Sequence, residues 1–73
     1  MKNNVDYLVE CMVKDLTLFL IRDFDMDIRE ALRTLYTSET YIKLQDPRTG
    51  LYFQSPLYVY DFLKREIITG KLS

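Results

Sequence analysis

The stretch DPRTGLYFQSP, residues 46–56, sets the limits of two helices and so decides the fold. It opens with a turn signal, because Asp-Pro followed by Gly favours a tight reversal and the residue before a proline is disfavoured in a helix. It closes on Ser55 and Pro56, a capping serine followed by a proline at the first helical position. The sequence therefore predicts that one helix ends before Pro47 and that another begins at Pro56.

The segments on either side of this stretch are amphipathic. The C-terminal one predicts a helix over residues 56–69, closed by Gly70, with these residues facing inward: Val59, Tyr60, Phe62, Leu63 and Ile67. The N-terminal one predicts a short helix over residues 38–45, capped by Ser38, with an apolar stripe of Tyr41, Ile42 and Leu44. Between them, residues 51–54 are aromatic and predict a short extended arm.

Two further helices precede these. Asp27 and Glu30 form a capping box, which predicts a helix over residues 28–36. Its apolar stripe consists of Ile28, Ala31, Leu32, Leu35 and Tyr36. A longer pattern predicts the first helix over residues 5–24. The predicted fold is therefore all-α, a small bundle of four helices in one domain that spans residues 1–73.

The first helix carries two apolar faces at 100° per residue. The broad face, which we expect to pack on the other three helices, comprises Val5, Leu8, Val9, Met12, Val13, Leu16, Phe19 and Leu20. The narrower face surrounds Lys14 and comprises Tyr7, Cys11, Leu18 and Ile21. So short a chain has few helices left to cover this second face, which makes it a candidate self-association face. The first functional hypothesis is accordingly a protein-interaction module that forms a homodimer through helix one.

Composition argues against several classes of function. The chain of 73 residues has no histidine, the usual general base and the commonest transition-metal ligand, so we expect no enzymatic activity, cofactor or metal site. Its one cysteine, Cys11, cannot form an internal disulfide, which favours a reducing cytoplasm. We expect no membrane span, since the apolar runs are interrupted by charges. The net charge of −1 gives no electrostatic footprint for nucleic acid.

Three alternating aspartates, Asp23, Asp25 and Asp27, support a third hypothesis, an enzyme with a carboxylate-bound metal. Their spacing resembles the start of a calcium loop. An EF-hand also needs glycine at the sixth loop position and glutamate at the twelfth, and here those positions hold Ile28 and Thr34. Helix capping and solvated carboxylates therefore explain the three aspartates better than a metal does.

The second hypothesis is a DNA-binding regulator or antitoxin that uses helices two and three. The helices predicted at 28–36 and 38–45 could form a helix-turn-helix, and the basic side chains available for phosphate contacts are Arg29, Arg33, Lys43 and Arg48. The glycine that is usual in the turn is missing, and the later helix is short and not notably basic. A plain helical hairpin is therefore the better interpretation.

Aromatic residues crowd around the turn at residues 46–56. Tyr52, Phe53 and Tyr58 either pack in the core or form a partner patch, since tyrosine is enriched at protein interfaces. So short a chain has little room to bury all of them. Both readings stay open at this point.

Three segments together resemble a known family: EAL at residues 30–32, YTSETY at residues 36–41 and DPxTGLYxQSPxYVY at residues 46–60. The family consists of short helical proteins from gut and other anaerobic bacteria, and the resemblance covers residues 5–68. Such proteins are often encoded beside toxin–antitoxin-like genes, so the resemblance implies an accessory or antitoxin role. No activity is established for the family, and no functional residue is carried over.

Overall fold

In this computed structural model, four α-helices account for most of the chain, and they are joined by short turns. Helix α1 is Asn4–Phe24, α2 is Ile28–Tyr36, α3 is Glu39–Gln45 and α4 is Pro56–Thr69. The structure describes residues 4–70, and side chains from residue 6 onward. Within that range there is no β-strand, and the predicted all-α bundle of four helices is confirmed.

The predicted helix starts are confirmed at the level of single hydrogen bonds. The side chain of Asp27 accepts the Glu30 N–H at 2.7 Å, and Ser38 Oγ accepts the Tyr41 N–H at 3.1 Å. Ser55 caps α4 in the same way. Each cap satisfies a first-turn N–H that has no partner within its own helix, so a small polar side chain fixes where the helix begins.

The aromatic arm predicted at residues 51–54 is not extended, so this part of the prediction is wrong. Leu51–Phe53 is a 3-10 turn that follows another at Pro47–Thr49, and Gly50 joins the two with a φ of 66°. The Phe53 N–H donates to the Gly50 carbonyl at 3.1 Å. The described residues offer no second strand for pairing, and local hydrogen bonds satisfy the backbone instead. The later turn packs against α1 and α3.

The core forms around α1. Its buried apolar residues are Met12, Leu16, Leu20, Ala31, Leu35, Leu44, Val59, Tyr60 and Leu63. Helices α2 and α4 pack directly on α1, whereas α3 packs mainly on α4 and α2. The expectation that the broad face of α1 packs on all three other helices is therefore confirmed for α2 and α4, whereas α3 makes no comparably extensive contact with α1. Val5, assigned to the broad face of α1, lies outside the residues whose side chains are described.

Several residues that were assigned to apolar stripes lie on the surface. Helices α2 and α3 have only nine and seven residues, and the neighbouring elements cover mainly the central positions of each apolar stripe. The residues left exposed are Ile28, Tyr36, Ile42 and Phe62. Thr40, predicted to lie outside the stripe, is buried. A helical period identifies a face, but it does not show how wide a part of that face a neighbour will cover.

Helix α1 is followed by a left-handed residue that is not glycine. Asp25 has a φ of 55°, a conformation that costs most L-residues about 1–2 kcal/mol and that aspartate tolerates better than most. It lies between the end of α1 and the cap of α2. The reversal that brings α2 back onto α1 therefore contains some backbone strain.

Asp25→Gly should raise the free energy of unfolding by about 0.5–1 kcal/mol, because glycine adopts this conformation without a steric penalty. Urea denaturation measures the change. Gly70→Ala is the reciprocal control, since Gly70 has a φ of 72° and an added Cβ would meet no atom within 4 Å. It should lower stability by about 1 kcal/mol. A destabilised Asp25→Gly protein would show that the aspartate side chain contributes more than the strain costs.

Candidate protein-interaction surface

The candidate self-association face of α1 is only partly exposed. Tyr7 and Leu18 are exposed and Cys11 is half-buried, whereas Ile21 packs against the core. Tyr7 and Leu18 are eleven positions apart, which is about 16 Å along a helix, and the exposed Lys14 lies between them. The four predicted residues therefore do not form one continuous apolar patch. Self-association through this face stays a prediction.

The buried arc of α1 is wider than the sequence predicted because it includes a threonine. Thr17 is 5% exposed, and its hydroxyl donates to the Val13 carbonyl at 2.7 Å. A hydroxyl that is satisfied within its own helix can be buried at little cost. Thr17 belongs to neither of the two predicted apolar faces, and its burial is accompanied by the inward packing of Ile21.

At the start of the same face, Tyr7 and Cys11 lie one helical turn apart. A hydrogen bond between their side chains raises the pKa of the Tyr7 phenol above its ordinary value of 10.0. The thiol therefore has a neutral phenol beside it at physiological pH.

The predicted partner patch is divided between two places. Tyr52 is half-buried and packs against the core, while Phe53 is 74% exposed, and their ring centroids lie 4.6 Å apart. Tyr58 lies on α4, where its ring meets Phe62 edge-to-face at 5.3 Å. Phe62, assigned to the core, is 42% exposed. Tyr58 thus has an exposed aromatic neighbour, Phe62, which the sequence pattern had placed in the core.

One side of α4 points away from the core, and we name it the outer face of α4. It consists of Leu57, Tyr58, Asp61, Phe62, Arg65 and Ile68. Leu57, Tyr58 and Ile68 are 63%, 51% and 65% exposed. A surface helix normally carries polar residues on this side, so four large apolar side chains within twelve positions are unusual. The signal was present in the sequence, because Leu57 and Ile68 fall opposite the inward stripe.

A groove of about 330 Å³ adjoins the outer face of α4 at Phe62. It lies between α3 and α4, and Leu51 contributes to its apolar lining. Lys43, Arg65 and Glu39 bring both signs of charge to its walls. The volume lies at the lower end of the range of small-molecule pockets. The groove is best described as an extension of the apolar surface, since its charges favour no single sign of ligand.

The shape of the groove depends on one carboxylate. Glu66 of α4 accepts the Glu39 N–H at 2.8 Å, the Thr40 N–H at 3.2 Å and the Thr40 hydroxyl at 2.8 Å. A negative charge at a helix N-terminus interacts favourably with the helix dipole, and hydrogen bonds to an ionised group are strong. Helix α4 therefore caps α3 from outside. This contact explains why Thr40 is buried, and residue spacing within α3 could not have predicted it.

A second polar contact joins the end of α1 to α4. The Tyr60 hydroxyl donates to Asp23 at 2.8 Å, and Arg22 Nε donates to the other carboxylate oxygen at 2.8 Å. The Arg22 and Tyr60 hydrogen bonds lower the pKa of Asp23 to about 2. Burial, together with the contact to Asp23, raises the pKa of Tyr60 to about 12. Near neutral pH the pair is thus a carboxylate and a neutral phenol, an arrangement that suits a structural contact.

The three aspartates of the metal hypothesis have separate positions. Asp23 contacts Tyr60, Asp25 occupies the left-handed turn and Asp27 caps α2. Among the described residues, no three carboxylate or thiol groups come close enough together to hold a metal ion. In the same part of the chain, no helix is both long and apolar enough to span a membrane.

The pair formed by α2 and α3 was the basis of the DNA-binding hypothesis. Ser38 makes the turn between them, and its hydroxyl donates to the Leu35 carbonyl at 2.6 Å. Arg29 and Arg33 are exposed, whereas Arg48 pairs with Asp46 at 2.9 Å. Arg48 is thus already paired with a carboxylate, and DNA binding stays a prediction.

Glu66→Ala should lower the free energy of unfolding by about 2 kcal/mol and reduce the helical signal, because α3 is short and would lose the three hydrogen bonds that Glu66 accepts at its N-terminus. Glu66→Gln should lose about half as much, since one amide oxygen still accepts. Urea denaturation followed by circular dichroism measures both. Lys64→Ala, an exposed position on the same helix, should change stability by less than about 0.5 kcal/mol. Equal losses for Lys64→Ala and Glu66→Ala would contradict the capping role.

The free energy of unfolding should fall at both low and high pH, because the Asp23–Tyr60 contact is lost at each extreme. The pKa of Asp23 is lowered from 3.8 to about 2, so its contribution is present above pH 3.8 and is lost as pH falls toward 2. The pKa of Tyr60 is raised from 10.0 to about 12, so its contribution is present below pH 10 and is lost as pH rises toward 12. Urea denaturation across pH compares wild type with Tyr60→Phe and Asp23→Asn. A wild-type advantage over Tyr60→Phe that stays constant from pH 9 to pH 12 would contradict the alkaline half.

Comparisons with protein-family models, curated proteins and solved structures find no match for this chain. The resemblance drawn from residues 30–60 therefore gains no support from them. Neither a relative nor a structural neighbour supplies a function, a ligand or a site residue. A function for this chain can be inferred only from its own surface.

Proposed function

We propose that this chain is a cytoplasmic protein-interaction module and that the outer face of α4 is its contact surface. The proposed role is binding rather than catalysis. The observation that carries it is the exposure of Leu57, Tyr58, Phe62 and Ile68 on one side of one helix. Burying large apolar side chains stabilises a complex by about 25 cal/mol per Å², and aromatic residues commonly dominate such interfaces.

The Tyr58–Phe62 pair is the best candidate for the side chains that contribute most to binding at this surface. The two rings already contact each other edge-to-face, so little side-chain freedom is lost when a partner covers them. The adjoining groove offers a recess for a side chain of the partner. Helix α4 is fixed to the bundle by Val59 and Leu63 in the core and by Glu66 at α3. The surface is therefore presented on a rigid element.

Self-association through helix one remains a competing proposal within the same class of function. It rests on the exposed Tyr7 and Leu18, and Leu18→Glu should dissociate such a dimer. The outer face of α4 is the stronger candidate because it places four exposed apolar side chains within twelve positions. A DNA-binding role through α2 and α3 has no comparable observation in its favour, given a net charge of −1.

Affinity capture from a host-cell extract tests the proposal. The bait is the tagged wild-type chain, and the measured quantity is the protein that it retains, including untagged copies of this chain. The Tyr58→Ser/Phe62→Ser variant should retain roughly tenfold less or even lower amounts. Ile28→Ser/Ile42→Ser removes two exposed apolar side chains from α2 and α3, and it should retain what the wild type retains.

Circular dichroism and urea denaturation establish that both double variants remain folded. All four positions are exposed, so each variant should keep the wild-type helical signal. Equal retention by the two variants would show that the outer face of α4 is not the contact surface. Loss of retention in the α2–α3 variant alone would move the surface to that side of the bundle.

A further inference from the structure

We propose that the partner of the outer face of α4 is a second copy of this chain, docked antiparallel about a twofold axis that crosses the outer face at the level of Leu63 along the helix. This inference rests on the proposed function, since it names the occupant of the same surface. The observation behind it is the order of apolar and charged residues along α4. From one point of the helix, a charged and then an apolar residue follow at the same distances in both directions.

The central stripe of the surface consists of Tyr58, Asp61, Arg65 and Ile68. Successive members are three, four and three positions apart, the spacing that keeps side chains on one side of a helix and allows two helices to pack along their length. Val59 and Leu63, on the opposite side, are fully buried in the core. The stripe therefore faces directly away from the bundle and can meet another helix without rearrangement.

The stripe is self-complementary about its midpoint. Asp61 and Arg65 lie two positions on either side of Leu63, and Tyr58 and Ile68 lie five positions on either side. In an antiparallel pair, Asp61 of each copy therefore meets Arg65 of the other, and Tyr58 meets Ile68. A parallel pair would instead place Asp61 against Asp61 and Arg65 against Arg65. Opposite charges thus select the antiparallel arrangement, in which both copies use the same patch.

The two charges are accessible to a second copy. Within one chain, Arg65 pairs with Asp61 at 2.8 Å, and their side chains remain 71% and 55% exposed. An exposed pair of this kind contributes little to the stability of the monomer. In the antiparallel pair, two carboxylates and two guanidinium groups alternate around the axis, where the flanking apolar residues partly exclude water. Each charge gains a second partner without giving up its first.

The flanks of the stripe agree with this arrangement. Leu57 and Phe62 border it on its two sides and extend the apolar contact. A contact about a twofold axis has to be self-complementary, and the order of residues along the stripe meets this condition.

The predicted dimer is a weak one. Helix α4 has 14 residues and is about 21 Å long, so one helix pair covers less than the roughly 800 Å² per partner of a standard interface. We therefore expect dimer and monomer to exchange with concentration. The solution mass must be followed over a dilution series.

Light scattering behind size exclusion provides the test, with two charge reversals. Asp61→Arg alone places arginines on both sides of the axis, and Arg65→Asp alone places aspartates there, so each should weaken the dimer roughly tenfold or more. An equimolar mixture of the two variants should form a heterodimer, because every arginine then meets an aspartate. The double variant Asp61→Arg/Arg65→Asp should recover the wild-type mass for the same reason.

Arg29→Glu, an exposed charge reversal on α2 and outside both candidate self-association faces, is the matched control and should leave the mass unchanged. The inference would be overturned if the single charge-reversal variants stay as dimeric as the wild type. It would also be overturned if the equimolar mixture fails to recover the wild-type mass. Dissociation by Leu18→Glu alone would assign the dimer to helix one. If the wild type is monomeric and its α4 face still captures another protein, a second copy of the chain is not the partner, but the proposed function stands. A monomer that captures nothing through α4 would overturn both.

Discussion

The burial of one face of α1 is the constraint on which the rest of the structure depends. At 21 residues, α1 is the longest helix, and its Leu16 and Leu20 are completely shielded from solvent. Helices α2 and α4 and the second 3-10 turn all pack on it. The other helices are short enough that packing, rather than intrinsic helix propensity, must supply most of their stability. The choice of which face α1 buries thus determines which faces of its neighbours remain outside.

The sequence predicted the features that depend on local hydrogen bonding. Ser38, Ser55 and Asp27 cap helices because a side chain one turn from an unsatisfied N–H has few alternatives. The interior positions with the strongest period, such as Leu16 and Leu63, were also assigned correctly. These features involve residues that are neighbours along the chain or that share the centre of an apolar stripe.

The sequence did not predict the features that depend on distant residues. Thr40 is buried because Glu66 reaches it from α4, and nothing in α3 encodes that contact. Phe62 has the period of a core residue, but the groove between α3 and α4 leaves it at the surface. The candidate site was therefore found only in part. Tyr58 was identified from composition, whereas its role beside Phe62 required knowledge of which side of α4 the bundle covers.

The Glu66 contact has a consequence for cooperativity. Its carboxylate lies 27 positions from Glu39, the first residue of the helix that it caps. When α4 undocks, the first two N–H groups of α3 lose their acceptor at the same moment, and seven residues cannot hold a helix unaided. Local opening of α4 and melting of α3 are therefore a single event, and the C-terminal half of the protein gains or loses its order as one unit. Whatever binds the outer face of α4 will, by mass action, also strengthen α3, a helix that need not touch the ligand.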